Sequence, residues 1–210
     1  MIASDDWAVR TEQQVLDEAL TLAPTRGWGR ATLLAAAKAC GLSVGDAELL
    51  LPNGPRDLAA LLSRRHDAAA LAALPDPATL KIRERIRAAV IARLDAVQAD
   101  REAVRRWAGF LALPGNVPLA LRLLWDSADG LWRWAGDTAT DENHYTKRAI
   151  LSGILIQVTA LDLQLGRIEA LAALDARIQN VMDFEKWKAG FKPSDLAKDF
   201  VGALARVRFG

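Results

Sequence analysis

Apolar residues recur along most of this chain at intervals of three and four, and runs alternating every second residue are missing. That period is the signature of helices with one buried face. Val15, Leu16, Ala19, Leu20 and Ala23 mark a first helix over about 12–22, which Pro24 and the turn Gly27-Trp28-Gly29 should end. A second helix, ATLLAAAKACG, stops at Gly41, a residue suited to the left-handed position after a helix end. A short third helix starts near Ser43 and runs through Leu49-Leu50-Leu51 to Pro52. Asn53-Gly54-Pro55 then opens a fourth, RDLAALLSRRHDAAALAAL. The tight Gly-Leu-Ser turn between the second and third predicts a helix-turn-helix head.

Pro75 and Pro77 punctuate the end of that head, over 1–75. In the body, 76–190, a helix over about 79–98 carries Ile82, Ile86, Val90 (or Ile91), Leu94 and Val97 at helical spacing. Another over 101–113 breaks at Pro114-Gly115-Asn116. A helix over 118–135 and a strongly apolar one after Asp141 should pack antiparallel across a dense polar turn, 135–148. Two shorter helices follow, over 168–187 and 194–209, with a hinge at Gly190–Pro193 and the last segment, 191–210, forming a tail. The expected fold class is all-α, with one head, one helical body and one terminal helix.

Composition narrows the function. Hydrophobic residues make up 51% of the chain but aromatics only 6%, so Leu and Ala build the core. A formal net charge of +1 gives no global pull toward nucleic acid or membrane. Cys40 alone forms no internal disulfide, which fits a reducing compartment. The start, MIASDDWAVRTEQQ, is acidic where a secretion signal is basic, and the apolar segment 149–165 is interrupted by Gln157 and Asp162. The chain therefore reads as a soluble protein. Catalytic material is sparse. His66 and His144 are the two histidines, and His66, within Arg64-Arg65-His66-Asp67, reads as part of a solvated face. No metal-ligand spacing, nucleophile elbow or phosphate-binding glycine loop is present, so neither catalysis nor a cofactor is expected.

The head is poorly charged for DNA. Between Leu42 and Asp57, Arg56 stands against Asp46, Glu48 and Asp57, and within 1–14 Arg10 stands against Asp5, Asp6 and Glu12. Such a surface has little with which to displace counterions from phosphates. Arg26, Arg30 and Lys38 are the cations a DNA-binding reading would have to use.

In the body, Leu121, Leu124, Trp125, Ala128, Leu131 and Trp132 would face Ile150, Ile154, Leu155 and Val158. The pattern fits a packed core or a walled apolar chamber, because periodicity gives the face and not the cavity. In the tail, Leu196, Phe200, Ala203, Leu204 and Val207 gather within an arc of about 100° on a helix. From Glu185 onward six basic residues oppose three acidic ones. Such a helix suits an anionic membrane surface, or packing against the body or a second subunit.

A resemblance discriminates among these readings. The stretch VLDEALTLAPTRGWGRATLLAAAKACGLS resembles the head of the TetR family of ligand-responsive repressors. The stretch WRWAGDTATDENHYTKRAILSGIL resembles the signature of a ubiquinone-biosynthesis accessory family built on the same TetR-like fold. That family binds isoprenoid lipids and assists a di-iron hydroxylase acting on a quinone precursor. The resemblance implies that the chamber takes an isoprenoid quinone or related lipid and that the tail contacts the membrane. It implies further that Asp141, His144, Tyr145 and Arg148 dock the hydroxylase, with Lys147 and Arg148 adding positive charge at the surface. In eukaryotic relatives a Trp stands where His144 stands here. The expected protein is a cytoplasmic homodimer, peripheral on the inner face of the membrane, without nucleic-acid binding; a TetR-type repressor is the alternative.

Overall fold

The computed structural model describes residues 2–138 and 142–190. It is all-α: among the described residues there are nine α-helices and no strands. They are α1 (Ile2–Arg26), α2 (Arg30–Ala39), α3 (Val44–Leu50), α4 (Pro55–Ala73), α5 (Ile82–Gln98), α6 (Arg101–Leu111), α7 (Val117–Trp134), α8 (Glu142–Gln164) and α9 (Arg167–Gly190). Short 3-10 turns at Pro77–Thr79 and Pro114–Asn116 stand where the proline-rich breaks predicted interruptions.

The first helix departs from expectation at both ends. It begins at Ile2, ahead of the apolar stripe that marked its start, and it runs through Pro24 to Arg26. Trp7 and Val9 are exposed, so these two apolar residues do not mark a buried face. Within the extra turns the Thr11 hydroxyl donates back to the Trp7 carbonyl at 2.8 Å. Pro24 forfeits one backbone bond close to the helix end, where the loss is small. The last turn is held by fully buried Ala23, whose carbonyl accepts from Gly27 N–H at 2.9 Å.

Helix ends elsewhere follow the chemistry of their residues. Gly41 (φ +77°) lets Leu42 N–H reach the Ala37 carbonyl at 2.9 Å, and a Ser43–Asp46 capping box opens α3. The end of α7 repeats the glycine device. Gly136 takes φ +89°, its N–H reaches the Arg133 carbonyl, and Asp137 N–H reaches the Trp132 carbonyl, each at 3.0 Å. That Schellman motif directs Asp137 back toward α8, where its side chain meets Lys147 and Arg148.

Two apolar clusters organise the packing. One joins α1–α4 to α6 and includes Leu16, Leu33, Leu58, Leu62, Val104 and Leu111. The other joins α5, α7, α8 and α9 through Val90, Leu94, Leu131, Leu151, Leu155, Val158 and Leu174. The first cluster reaches well past residue 75, because Trp107 of α6 donates from Nε1 to the Ala59 carbonyl at 3.0 Å. Arg56 binds Asn116 Oδ1 at 2.8 Å, closing the same seam at its other end. No single helix among the described residues is long and apolar enough to cross a membrane.

Candidate functional site

The predicted facing of α7 and α8 is realised, but its middle is solid. Ala128, Leu131 and Val158 are buried in the second cluster, with Leu151 and Leu155 beside them. Empty space opens on either side of this packed seam, and the predicted lipid residues divide between the two sides.

The larger cleft, about 330 Å³, lies where α4, α5, α6, α7 and α8 converge. Leu121, Leu124 and Leu155 line it, as do Val97, Trp107, Leu111, Val117, Ile156 and Leu163, which the helical period did not single out as site residues. Around its mouth Val117, Leu121 and Ile156 are exposed, Leu121 to 60%. An apolar rim continuous with an apolar cavity is costly in water, which makes this cleft a candidate binding surface. The polar lining residues are few: Ser63, Arg93, Ser127 and Thr159. Arg93 is buried and donates from Nε to Asp67 Oδ1 at 2.6 Å, and the Ser127 hydroxyl lies 2.8 Å from both oxygens of that carboxylate.

A smaller cleft, about 250 Å³, lies among α5, α7, α8 and α9. Trp132, Ile150 and Ile154 line it with Ile82, Ile86, Leu151, Ile178 and Val181. Its polar edge is Lys147, whose ammonium lies 5.4 Å from the Trp132 ring centroid while the indole N–H donates to the Lys147 carbonyl at 3.0 Å.

Trp125 lines neither of these two clefts. It stands with His144 and Tyr145, at centroid separations of 6.3 and 6.0 Å, and those two rings meet edge to face at 5.2 Å. Tyr145 is 64% exposed, so the three rings form an aromatic patch on the surface where α7 and α8 meet. The structure thus groups one predicted lipid residue with two predicted docking residues.

Arg148 is not on that surface. It is 1% exposed, donating from Nε to Asp129 at 2.6 Å and from Nη1 to Asp137 at 2.9 Å and to the His144 carbonyl at 3.1 Å. Its charge is consumed inside the protein, because Asp129 and Asp137 project from the last turns of α7 and just beyond them. Burial pushes the Asp137 carboxyl up, but hydrogen bonds from Lys147 and Arg148 outweigh burial and hold it below the ordinary carboxylate value. Asp141 and the membrane-contact residues Leu196, Phe200, Ala203, Leu204 and Val207 lie outside the described residues.

His66 also departs from expectation. It is 2% exposed rather than solvated, with Nε2 2.9 Å from Asp100 Oδ2 and no partner for Nδ1. The reason is position: His66 is on the face of α4 that packs on α5, beside the turn that carries Asp100. Burial first, and Arg93 second, lower its pKa from 6.5, against the opposing pull of Asp100 and Asp67. In the head, Arg30 is committed to Glu48 at 2.6 Å, which leaves it less available to a phosphate. Cys40 is partly buried, and burial, then Glu18 and Asp17, push its thiol up, away from the reactive thiolate. Among the described residues no three His, Cys, Asp or Glu side chains gather to hold a metal.

A family model described as COQ9 matches residues 117–185, the span containing α7, α8, the aromatic patch and most of both cleft walls. The ubiquinone biosynthesis protein COQ9, mitochondrial, of Bos taurus is 33% identical over 151 residues, which cover 68% of this chain and 47% of that protein. COQ9-B of Xenopus laevis is 29% identical over 165 residues, 73% of this chain and 55% of its own length. The Homo sapiens protein is 29% identical over 151 residues, 68% and 48% of the two chains. The chain spans about half the length of the curated relatives it matches. Its match to the family model and its likeness to these proteins across two thirds of its length place it by descent: the chain belongs to the COQ9 family.

Proposed function

We propose that this protein is a non-catalytic, isoprenoid-lipid-binding accessory protein of ubiquinone biosynthesis. It takes a hydrophobic quinone precursor from the membrane and presents it to a partner hydroxylase. The observation that carries this reading is the apolar cleft of about 330 Å³ among α4–α8, with its exposed rim of Val117, Leu121 and Ile156. Each CH₂ of a prenyl tail moved from water into such a cleft contributes about 0.8 kcal/mol, so affinity rises with tail length until the cleft is full. The names of the relatives supply the pathway.

The aromatic patch of Trp125, His144 and Tyr145 is the docking surface for the hydroxylase in this reading, with Arg148 and Asp137 bracing it from beneath. The head is a retained TetR-like scaffold in which Arg30 is tied to Glu48. The amphipathic tail seats a homodimer on the inner face of the membrane.

Organic extraction of the purified full chain followed by mass spectrometry tests the proposal. A prenylated quinone or quinone precursor, present in stoichiometric amount, is the expected result. Recovery of no lipid, together with sequence-specific operator binding released by a small polar effector, would overturn it in favour of a repressor.

A further inference from the structure

The polar end of the larger cleft has features that a passive grease-filled groove does not need. Arg93 is 8% exposed and lines the cleft, yet its only bond is from Nε to Asp67. Among the described residues no acceptor meets either of its Nη groups. Ser63, also lining the cleft, makes no side-chain hydrogen bond among the described residues either. Both groups open to solvent through the cleft, so a lipid that displaces water there must offer them an acceptor. Ser127, by contrast, is spent on Asp67.

We propose that Arg93, assisted by Ser63, hydrogen-bonds a neutral carbonyl or ether oxygen on the head of the lipid, with the apolar chain lying along the cleft toward Leu121 and Ile156. This assignment rests on the lipid-binding reading above and adds the chemistry of the head group.

The choice of a neutral acceptor over an acid follows from the surrounding charges. Arg93 is already neutralised by Asp67 at 2.6 Å. Asp100 shares the cluster around His66 with it, 2.9 Å from that ring, and the direction of the His66 shift keeps the imidazole uncharged near neutral pH. Two carboxylates therefore accompany one guanidinium. A carboxylate or phosphate head entering this end would meet an excess of negative charge in a low-dielectric site, whereas a quinone carbonyl accepts from the Nη groups without that repulsion. The donors also explain selectivity among neutral lipids: a hydrocarbon lacking oxygens leaves them unmet and gains only burial.

The test compares three probes of equal chain length on the full chain, read by quenching of tryptophan fluorescence and by competition: a decyl-substituted 1,4-benzoquinone, decylbenzene and decanoate. The unaltered protein is expected to bind the quinone at least tenfold more tightly than either of the others. In Arg93→Lys, which keeps a cation beside Asp67 but loses the forked Nη pair, quinone affinity should fall to that of decylbenzene while decylbenzene binding stays unchanged. If Arg93→Lys fails to fold, the order of the three probes on the unaltered protein decides alone. Equal binding of quinone and decylbenzene would overturn the role of Arg93 and leave the cleft as a lipid site. Preference for decanoate would overturn the neutral head group. Binding of none of the three would overturn the lipid reading itself.

Discussion

At the residue scale, the side chains that carry charge into the interior decide most of the local behaviour. His66 is the simplest to test. Its folded pKa lies below the ordinary value of 6.5, so between that value and the folded pKa the unfolded chain binds the extra proton. Stability therefore falls as pH drops below about 6.5 and the loss ends below the folded pKa. The structural cause is burial first and the Arg93 charge second, and Nδ1 has no acceptor waiting for a second N–H. Replacing His66 with Gln, which can keep a donor toward Asp100 but does not titrate, should flatten this part of the profile. Urea unfolding midpoints from pH 7.5 to pH 5 measure it, and an unchanged slope in His66→Gln would assign the acid sensitivity to another group. Reading the sequence alone put His66 on a solvated face, because its neighbours Arg64, Arg65 and Asp67 are charged. Helical period separates these positions by 100° each, and Arg65 and Asp67 pair with Asp17 and Arg93 instead.

At the scale of elements, the polar turn between α7 and α8 is the part of the chain whose composition looks least suited to its place. Its logic is an ion-pair network. Arg148 reaches two carboxylates, Asp129 is shared with Arg133 at 2.8 Å, and Asp137 is shared with Lys147 at 2.6 Å. Removing the buried partner of such a pair normally costs about 3–5 kcal/mol. Both carboxylates keep a second cation here, so Arg148→Gln should cost about 3 kcal/mol, the lower end of that range. Denaturant unfolding of the variant checks this, and a loss below about 1 kcal/mol would mean the network is no more than a surface arrangement. Helix existence and order were legible from apolar spacing, glycines and prolines. The aromatic patch was legible only in part. Trp125 shares a period with Trp132, seven residues on, and seven residues in a straight helix leave an offset of about 20°. Near the end of α7, that offset and the different partners on α8 send one ring to a cleft and the other to the surface. The burial of Arg148 was hidden for a related reason: its acceptors come from the preceding helix and its Schellman turn, a contact set by tertiary packing.

At the scale of the whole molecule, the arrangement separates three tasks. The seam of Ala128, Leu131, Leu151 and Val158 supplies rigidity, the cleft on one side supplies an apolar volume with Arg93 and Ser63 at its polar end, and the aromatic patch sits at the outer edge of the same two helices. Lining from five helices is something no single stretch of sequence reveals. Trp107, Leu111 and Leu163 entered the cleft from helices that, taken singly, look like ordinary core elements. The same packing ties the head to the body through Trp107 and Ala59, so the head acts as a wall of the site as well as a scaffold.

Filling the cleft tests the central claim most directly. Ala160 lines it from an exposed position on α8, so Ala160→Trp adds bulk there without disturbing either apolar cluster. The quantity to measure is the isoprenoid lipid extracted per protein chain, with the thermal unfolding midpoint as control. Severalfold less lipid at an unchanged midpoint is the predicted result. Equal lipid in the two proteins would place the ligand elsewhere and contradict the account.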